Sequence, residues 1–197
     1  FELLGNSNEY DYKAFIVTSS NAVTLSNQTF YMTTKAMAEV MARNWALEYK
    51  KPIVIIRPFS VTGVGEQPGH LIPTLIRSCL YGEKMPFVPE PAHDFIDVDD
   101  VVNALTSISE GAREHRGEVF EIGTGRQYTN QEAMSMTEDV IGRPAHTRLV
   151  ESLRSYDSGI WRADNRSLLA LGWKPEKNLE QSIKEMVEYE QRKNFGD

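Results

Sequence analysis

The residues best suited to chemistry are a tyrosine and a lysine four positions apart, Tyr31 and Lys35. On a helix, residues i and i+4 share a face, so the Lys35 ammonium can lie beside the Tyr31 phenol. A nearby cation favours the phenolate and would make Tyr31 a usable acid/base. The same spacing recurs at Tyr189 and Lys193, where we expect a solvated helix without chemistry.

Two hydroxyl side chains, Ser19 and Ser20, directly follow an apolar run of residues 14–18 that is typical of a strand. Open α/β sheets bind their ligands at the carboxyl ends of their strands. A hydroxyl there could hydrogen-bond a substrate oxygen while Tyr31 moves its proton. The alternative is ordinary turn or helix-cap chemistry.

Strand and helix patterns alternate along the chain, which predicts an α/β fold. Pro52 precedes a wholly apolar run that is typical of a parallel strand covered on both faces. The predicted strands are residues 14–18, 53–56, 95–98 and 119–122. The predicted helices are residues 30–49 (with Met37, Met41 and Trp45 on the apolar face), 71–81 (with Gly82 as C-cap), 99–112, 130–142 (opened by a Thr129–Glu132 capping box), 167–171 and 179–192.

The glycine-rich stretch Gly63–Gly69 follows a strand but lacks the features of a dinucleotide-binding loop. Pro68 removes an amide donor, and no acidic residue closes a second strand at the required distance. We therefore expect an ordinary loop there.

Two histidines, His70 and His93, have no partner at metal-ligand spacing, so surface or substrate-site roles are favoured. The three aspartates Asp97, Asp99 and Asp100 are more simply explained as the acidic first turn of a helix. No metal site is predicted.

A second polar pair, Arg154 and Asp157, could hold a phosphate through the guanidinium and a ribose through the carboxylate. The alternative is a surface ion pair of little energetic value. The formal net charge of −7 means that an anionic ligand must rely on a few such local cations.

Composition narrows the class of protein further. The 197 residues carry 21 Lys+Arg against 28 Asp+Glu, a balance that argues against sequence-independent nucleic-acid binding. No apolar run approaches the length of a membrane helix, and no signal-peptide pattern is present. Cys79 is the only cysteine, so neither an internal disulfide nor a cysteine-based zinc site is expected. These features predict a cytoplasmic protein without nucleic-acid or membrane partners.

Seven segments, taken in chain order, resemble the extended short-chain dehydrogenase/reductase family, in its NAD-dependent epimerase/dehydratase group. They span nearly the whole chain. The segments are residues 15–20 (FIVTSS), Tyr31-x3-Lys35, residues 57–63 (RPFSVTG), residues 94–100 (DFIDVDD), residues 120–125 (FEIGTG), Arg154-x2-Asp157 and residues 171–175 (LGWKP).

The resemblance implies roles for individual residues. Tyr31 would be the acid/base, Lys35 would favour its phenolate and hold the nicotinamide ribose of NAD or NADP, and Ser20 would bind the reacting sugar hydroxyl. Ser19 and Pro58 would also line the cofactor. The implied substrate-binding residues are Ser60, His70, His93, Arg154 and Asp157.

Departures from the family pattern refine this expectation. The triplet Ser20-Asn21-Ala22 stands where the dehydratase branch has Thr-Asp-Glu, so water elimination is not expected. Ser60 and His93 stand where many members have Asn and Arg, and the segment between Ser20 and Tyr31 is shorter than in extended members. The glycine-rich N-terminal half of the family is absent, so the chain resembles its C-terminal two-thirds.

We therefore predict the C-terminal part of a Rossmann-like parallel sheet plus a small mixed α/β substrate domain. Residues 1–62 would form the partial dinucleotide-binding domain, and residues 63–197 would mainly bind substrate, with some segments returning to the sheet. The predicted function is an NAD(P)-dependent epimerase acting on a sugar hydroxyl of a nucleotide-sugar. The alternatives are a nucleotide-sugar reductase or a non-catalytic binding module. The resemblance also implies a homodimer, formed through residues 1–4 and 30–49.

Overall fold

The computed structural model describes residues 2–25, 29–151 and 160–195. The chain divides into two compact units. The first comprises Phe1–Phe59, Val101–Gly123 and Ala163–Lys174. The second comprises Ser60–Asp100, Thr124–Arg162 and Pro175–Asp197. Whether these units divide cofactor binding from substrate binding stays a prediction.

Strands and helices alternate over much of the described chain. The strands are β1 (Phe15–Thr18), β2 (Ile53–Pro58), β3 (Ser60–Thr62), β4 (Met85–Phe87), β5 (Ala92–His93), β6 (Phe95–Asp97), β7 (Val119–Ile122), β8 (Tyr128–Thr129) and β9 (Thr147–Leu149). The helices are α1 (Glu2–Ser7), α2 (Phe30–Glu48), α3 (Leu71–Tyr81), α4 (Val98–Glu110), α5 (Asn130–Ile141), α6 (Arg166–Ala170) and α7 (Leu179–Phe195). A 3₁₀ turn covers Asn21–Thr24.

The first unit is built on a three-stranded parallel sheet in the order β1-β2-β7. Residues 53–56 of the central strand are all buried, as expected for a parallel strand covered on both faces. The register pairs Thr18 with Ile56 and Pro58 with Ile122, so the three strands end at the same edge of the sheet. The predicted α/β fold with a Rossmann-like parallel sheet is confirmed.

Helix α2 packs on this sheet through two fully buried alanines, Ala42 and Ala46. Met41 and Trp45 are partly buried beside them, as predicted. Met37 is 60% exposed, so its expected burial together with Met41 and Trp45 was wrong. The small side chains of Ala42 and Ala46 let the helix lie close to the sheet, and Met37 lies on the solvent side of the helix.

The second unit packs helices α3, α5 and α7 together beside short strand pairs. Strands β3 and β6 pair in parallel, as do β4 and β9, whereas β5 and β8 are antiparallel. The core of this unit consists of Ile72, Ile76, Phe95, Tyr128, Ala133, Leu179, Ile183, Met186 and Val187. No helix in the described parts of the chain combines the length and apolarity needed to cross a bilayer.

The loop after β3 requires glycine at its first position. Gly63 has a φ of +144°, and a Cβ atom built there would lie 2.8 Å from Cγ1 of Val98. Both the backbone conformation and the close approach exclude a side chain. The predicted loop at residues 63–69 begins at this contact.

Helix ends in the second unit follow the predicted signals. Gly82 and Gly142 adopt the left-handed conformation at the C-caps of α3 and α5. At the start of α5, the Thr129 hydroxyl accepts a hydrogen bond from the Glu132 amide at 3.1 Å. The Glu132 carboxylate accepts the Thr129 amide at 2.7 Å, which completes the predicted capping box.

Replacing Thr129 by alanine removes one half of this capping box. We expect Thr129→Ala to lower the free energy of unfolding by about 1 kcal/mol, because an amide in the first turn of α5 loses its acceptor. Urea denaturation measures the change. Thr106→Ala is the control, since that exposed hydroxyl on α4 donates only to a helix carbonyl. Equal losses in the two variants would contradict the role of the cap.

Candidate active site

The structure brings Tyr31 and Lys35 together at the start of α2. The helix is capped by Thr29, whose hydroxyl accepts the Met32 amide at 3.3 Å. The Lys35 ammonium lies 5.8 Å from the centre of the Tyr31 ring, and the tyrosine is 54% exposed. A cation therefore lies next to a solvent-accessible tyrosine ring.

Lys35 also joins the helix to the sheet. Its Nζ donates a hydrogen bond to the carbonyl oxygen of Thr18, the last residue of β1, at 2.9 Å. An ammonium has three N–H donors, so this bond leaves others for a ligand. The Tyr31–Lys35 pair is thus held at the carboxyl end of β1.

The two serines after β1 are differently placed. Ser20 caps the 3₁₀ turn, where its Oγ accepts the Ala22 amide at 3.2 Å and keeps its own hydrogen to donate. Ser19 is buried and lies against the carboxylate of Glu39. The proposed roles of Ser20 toward substrate and Ser19 toward cofactor stay predictions.

An ion pair that the sequence analysis missed joins helix α2 to the end of β2. Arg57, at the end of β2, donates from Nε and from one terminal nitrogen to the two carboxylate oxygens of Glu39, at 2.8 and 2.7 Å. Glu39 is buried, one helical turn after Lys35. A second carboxylate, Glu121 on the neighbouring strand β7, lies 3.8 Å from Arg57. The one sequence signal for this ion pair was Glu39 itself, an acidic residue four positions after Lys35.

The ion pair shifts the pKa of both partners. Burial raises the pKa of Glu39, but the hydrogen bonds and the charge of Arg57 outweigh it, with a further contribution from the nearby Ser19 hydroxyl, so the pKa lies below its ordinary value. The hydrogen bond to Glu39 raises the pKa of Arg57 against the opposing effect of burial. Both groups are therefore ionised at neutral pH.

The chain continues from Arg57 through Pro58, a partly buried residue that ends β2, into the second unit. There the Ser60 hydroxyl and Nδ1 of His93 lie 3.1 Å apart, within hydrogen-bond distance. The rings of Phe95 and Trp161 surround this histidine, with centroids at 5.4 and 6.3 Å. Two of the predicted substrate residues thus form one polar pair with aromatic neighbours.

His70 lies elsewhere in the second unit. Its Nδ1 is 3.1 Å from the carboxylate of Glu66, which also accepts a hydrogen bond from the Thr62 hydroxyl at 2.7 Å. Burial raises the pKa of Glu66 more than these two partners lower it. The two remaining predicted substrate residues, Arg154 and Asp157, lie outside the described residues.

The aspartates near α4 serve the fold. Asp97 accepts the Asp99 amide at 2.9 Å and the Ser182 hydroxyl at 2.6 Å. Asp100 accepts the amides of Glu176 and Lys177 at 2.9 and 3.1 Å. These contacts agree with the prediction of an acidic start of α4.

Comparison with known proteins identifies the family to which this geometry corresponds. The model of the NAD dependent epimerase/dehydratase family matches residues 4–123, which include the β1 strand end, Tyr31, Lys35 and the Glu39–Arg57 pair. A low-salt glycan biosynthesis protein, Agl12 of Haloferax volcanii, is 30% identical over 163 residues, covering 81% of this chain and 51% of that protein. Mouse dTDP-D-glucose 4,6-dehydratase is 30% identical over 179 residues, covering 84% of this chain and 48% of that enzyme. The chain spans about half the length of these curated relatives.

A solved structure extends the similarity to the fold. UDP-glucose 4-epimerase of Thermotoga maritima, determined with UDP-glucose, superposes with a TM-score of 0.85 at 26% sequence identity. The match covers 98% of this chain and 68% of that structure.

The Glu39–Arg57 pair makes stability depend on pH in a defined direction. Because the folded-state pKa of Glu39 lies below its ordinary value of 4.5, the carboxylate stabilises the fold above the unfolded pKa. This contribution is lost as the pH falls through the lower, folded-state pKa. We expect Glu39→Gln to lower the free energy of unfolding at pH 7 by about 1–3 kcal/mol, since Arg57 loses its charged partner.

The pH dependence of that difference provides the check. Thermal unfolding of the wild type and Glu39→Gln should differ most near neutral pH and converge in acid, once Glu39 is protonated. Arg113→Gln, which breaks the exposed Arg113–Asp11 pair, serves as the control and should change little at any pH. A Glu39→Gln deficit that stays constant into acid would contradict the assignment.

Proposed function

Because this chain belongs to the NAD dependent epimerase/dehydratase family, we propose that the protein carrying it is an NAD(P)-dependent nucleotide-sugar epimerase. It would act on one hydroxyl-bearing carbon of the sugar. The observation that carries the proposal is the exposed Tyr31 phenol with the Lys35 ammonium beside it at the carboxyl end of β1.

Tyr31 would exchange the proton of the reacting hydroxyl. As phenolate it accepts that proton when the sugar carbon is oxidised to a ketone, and as phenol it returns the proton when the ketone is reduced from the opposite face. The Lys35 ammonium, 5.8 Å from the centre of the ring, would place a positive charge beside the phenol during this exchange. Ser20, whose hydroxyl keeps a hydrogen to donate, would hold the reacting oxygen.

Among the described residues, Lys35 has donors that suit the ribose next to the nicotinamide of NAD or NADP. Lys35 uses one N–H on the Thr18 carbonyl, and its remaining donors suit ribose hydroxyl groups. When bound, the cofactor supplies the acceptor and donor of hydride. Pro58 and Ser19 complete the proposed cofactor contacts.

The turn after β1 supports epimerisation over dehydration. Water elimination needs an acid/base pair of its own, but Asn21 and Ala22 occupy the two positions after Ser20, and both are buried in the 3₁₀ turn. Neither side chain can exchange a proton at neutral pH.

Substrate binding is proposed for the second unit. Ser60 and His93, hydrogen-bonded and lined by aromatic rings, would contact the sugar or its diphosphate. We assign the same role to His70, Arg154 and Asp157. In this division, residues 1–62 mainly serve the cofactor and residues 63–197 mainly serve the substrate, except for residues 101–123 and 163–174, which return to the first unit.

We further propose a homodimer that works in the cytoplasm, without nucleic-acid or membrane partners. Helix α2 presents four apolar side chains to solvent, since Phe30, Met37, Val40 and Leu47 are more than half exposed. A second copy of this helix would cover them. The buried Cys79, whose pKa burial raises to about 11, is an unreactive thiol compatible with a reducing compartment.

The acid/base role of Tyr31 can be tested by removing its hydroxyl. In the complete protein, Tyr31→Phe is expected to lower turnover by about 10²–10⁴-fold, because the proton of the sugar hydroxyl loses its acceptor. The unfolding temperature should hardly change, since the side chain is mostly exposed. NMR of UDP-glucose and dTDP-glucose incubations without added reductant would detect the epimer.

Tyr189→Phe is the matched control, because Tyr189 stands at the same spacing from Lys193 on α7 and is 42% exposed. It should keep wild-type turnover. Retained turnover in Tyr31→Phe would refute the assignment. A 4-keto-6-deoxy product would instead identify a dehydratase, and product formation only with stoichiometric NAD(P)H would identify a reductase.

The oligomeric state offers a separate test. Light scattering on the complete protein is expected to give twice the mass of one chain. Val40→Glu should yield the single-chain mass, because it places a charge in the middle of the apolar face of α2. A wild-type protein with the mass of one chain would contradict the dimer.

A further inference from the structure

We infer that Arg57 is a positioning residue for the Tyr31–Lys35 pair. By occupying both carboxylate oxygens of Glu39, it prevents that carboxylate from binding Lys35, so that the ammonium stays on the Thr18 carbonyl beside the phenol. The functional consequence of this inference rests on the proposed function, whereas its structural consequence can be measured without it.

The competition follows from helix geometry. Lys35 and Glu39 are four residues apart on α2 and therefore neighbours on one face, at the spacing where opposite charges attract. A carboxylate binds an ammonium more strongly than a neutral carbonyl does. Without Arg57, Glu39 is the stronger partner, and Lys35 would leave Thr18 for it.

Arg57 binds Glu39 in preference to Lys35 because of the shape of the guanidinium and its position in the sheet. The guanidinium donates two nearly parallel hydrogen bonds, of 2.8 and 2.7 Å, which a point charge such as an ammonium cannot match. The register that pairs Thr18 with Ile56 places Arg57 at the strand ends. The Ser19 amide donates to the Ile56 carbonyl at 2.8 Å and fixes that edge.

Glu121 gives Arg57 a second acidic neighbour. Arg57 is partly buried, and a second carboxylate at 3.8 Å helps to offset its charge when Glu39 is substituted. Loss of the Glu39 charge thus leaves Arg57 with one acidic neighbour. Loss of the Arg57 charge leaves Glu39 buried and facing Lys35.

The two single substitutions should therefore have unequal effects on the site. Glu39→Gln removes the competitor, and Lys35 stays on Thr18. Arg57→Gln releases the competitor, and Lys35 moves to Glu39. Combining the two substitutions removes both charges and should return Lys35 to Thr18. If the Glu39–Arg57 pair only stabilised the fold, adding Glu39→Gln to Arg57→Gln would not restore the position of Lys35.

The test measures NAD affinity by calorimetry and turnover for the complete protein, at a temperature well below unfolding. Arg57→Gln is expected to weaken NAD binding roughly tenfold and to lower kcat about 100-fold, because the acid/base pair is misplaced. Glu39→Gln and the double variant should stay within about threefold of the wild type, as expected when the competing charge is gone. Ile53→Val, which trims the buried core of β2, is the control for lost stability and should keep both values.

A crystal structure of Arg57→Gln provides the readout that is independent of activity. The expected result is a Lys35 Nζ bonded to the Glu39 carboxylate and no longer to the Thr18 oxygen. If Arg57→Gln does not fold, Arg57→Lys takes its place, since it keeps the charge but releases one carboxylate oxygen, and a smaller shift in the same direction is expected.

The inference is overturned if Lys35 remains on Thr18 in the variant structure, or if the double variant is as impaired as Arg57→Gln. A wild-type protein that neither binds NAD nor turns over nucleotide-sugars would refute the proposed function instead. In that case the position of Lys35 in the variant structure still decides the inference.

Discussion

The hydrogen bond from Lys35 to the Thr18 carbonyl determines where the proposed catalytic pair lies in this chain. It joins the helix that carries Tyr31 to the end of the strand that is followed by Ser20. Thr18 is the last residue of β1, and its position is set by the parallel register with β2. A change in that register would move the acceptor, and the lysine and the phenol would move with it. The buried strand at residues 53–56 thus sets the position of the Thr18 carbonyl through its pairing with β1.

Helix α2 is held by two kinds of contact. Toward its C-terminal half, Ala42 and Ala46 give a close apolar fit to the sheet. In its N-terminal half, which carries the Tyr31–Lys35 pair, Met32 and Glu39 are the buried residues, and Lys35 bonds to the end of β1. A hydrogen bond has direction, so the bond from Lys35 to Thr18 orients the pair more narrowly than the packing of small apolar side chains does. The burial of the Glu39 carboxylate carries a desolvation cost, which its paired geometry with Arg57 offsets.

Local signals made much of the fold predictable. The helix ends at Gly82 and Gly142 and the capping box at Thr129 depend on residues close together in sequence, and the structure has them where the sequence predicts. Short strands such as β5 and β8, with two residues each, have no periodicity to detect. The exposure of Met37 and the pairing of Glu39 with Arg57 depend on which face of α2 meets the sheet. Residues distant in sequence decide which face of α2 meets the sheet. The Tyr31–Lys35 motif was therefore predictable from the sequence, whereas the contacts that hold it were not.

The two tyrosine–lysine pairs of this chain show that spacing alone does not make a site. Tyr31 and Tyr189 both lie on helices, both are substantially exposed, and each has a lysine four residues later. They differ in what lies beneath the helix. Under α2 the ends of two parallel strands supply a carbonyl for the lysine and an arginine that binds the neighbouring carboxylate. Helix α7 instead packs on α3 and α5 through a core of apolar side chains, and its Tyr189 and Lys193 are exposed. The motif gains a defined geometry only where a sheet edge provides partners for its charges, which is why the elements around Tyr31 and Lys35 matter as much as the pair itself.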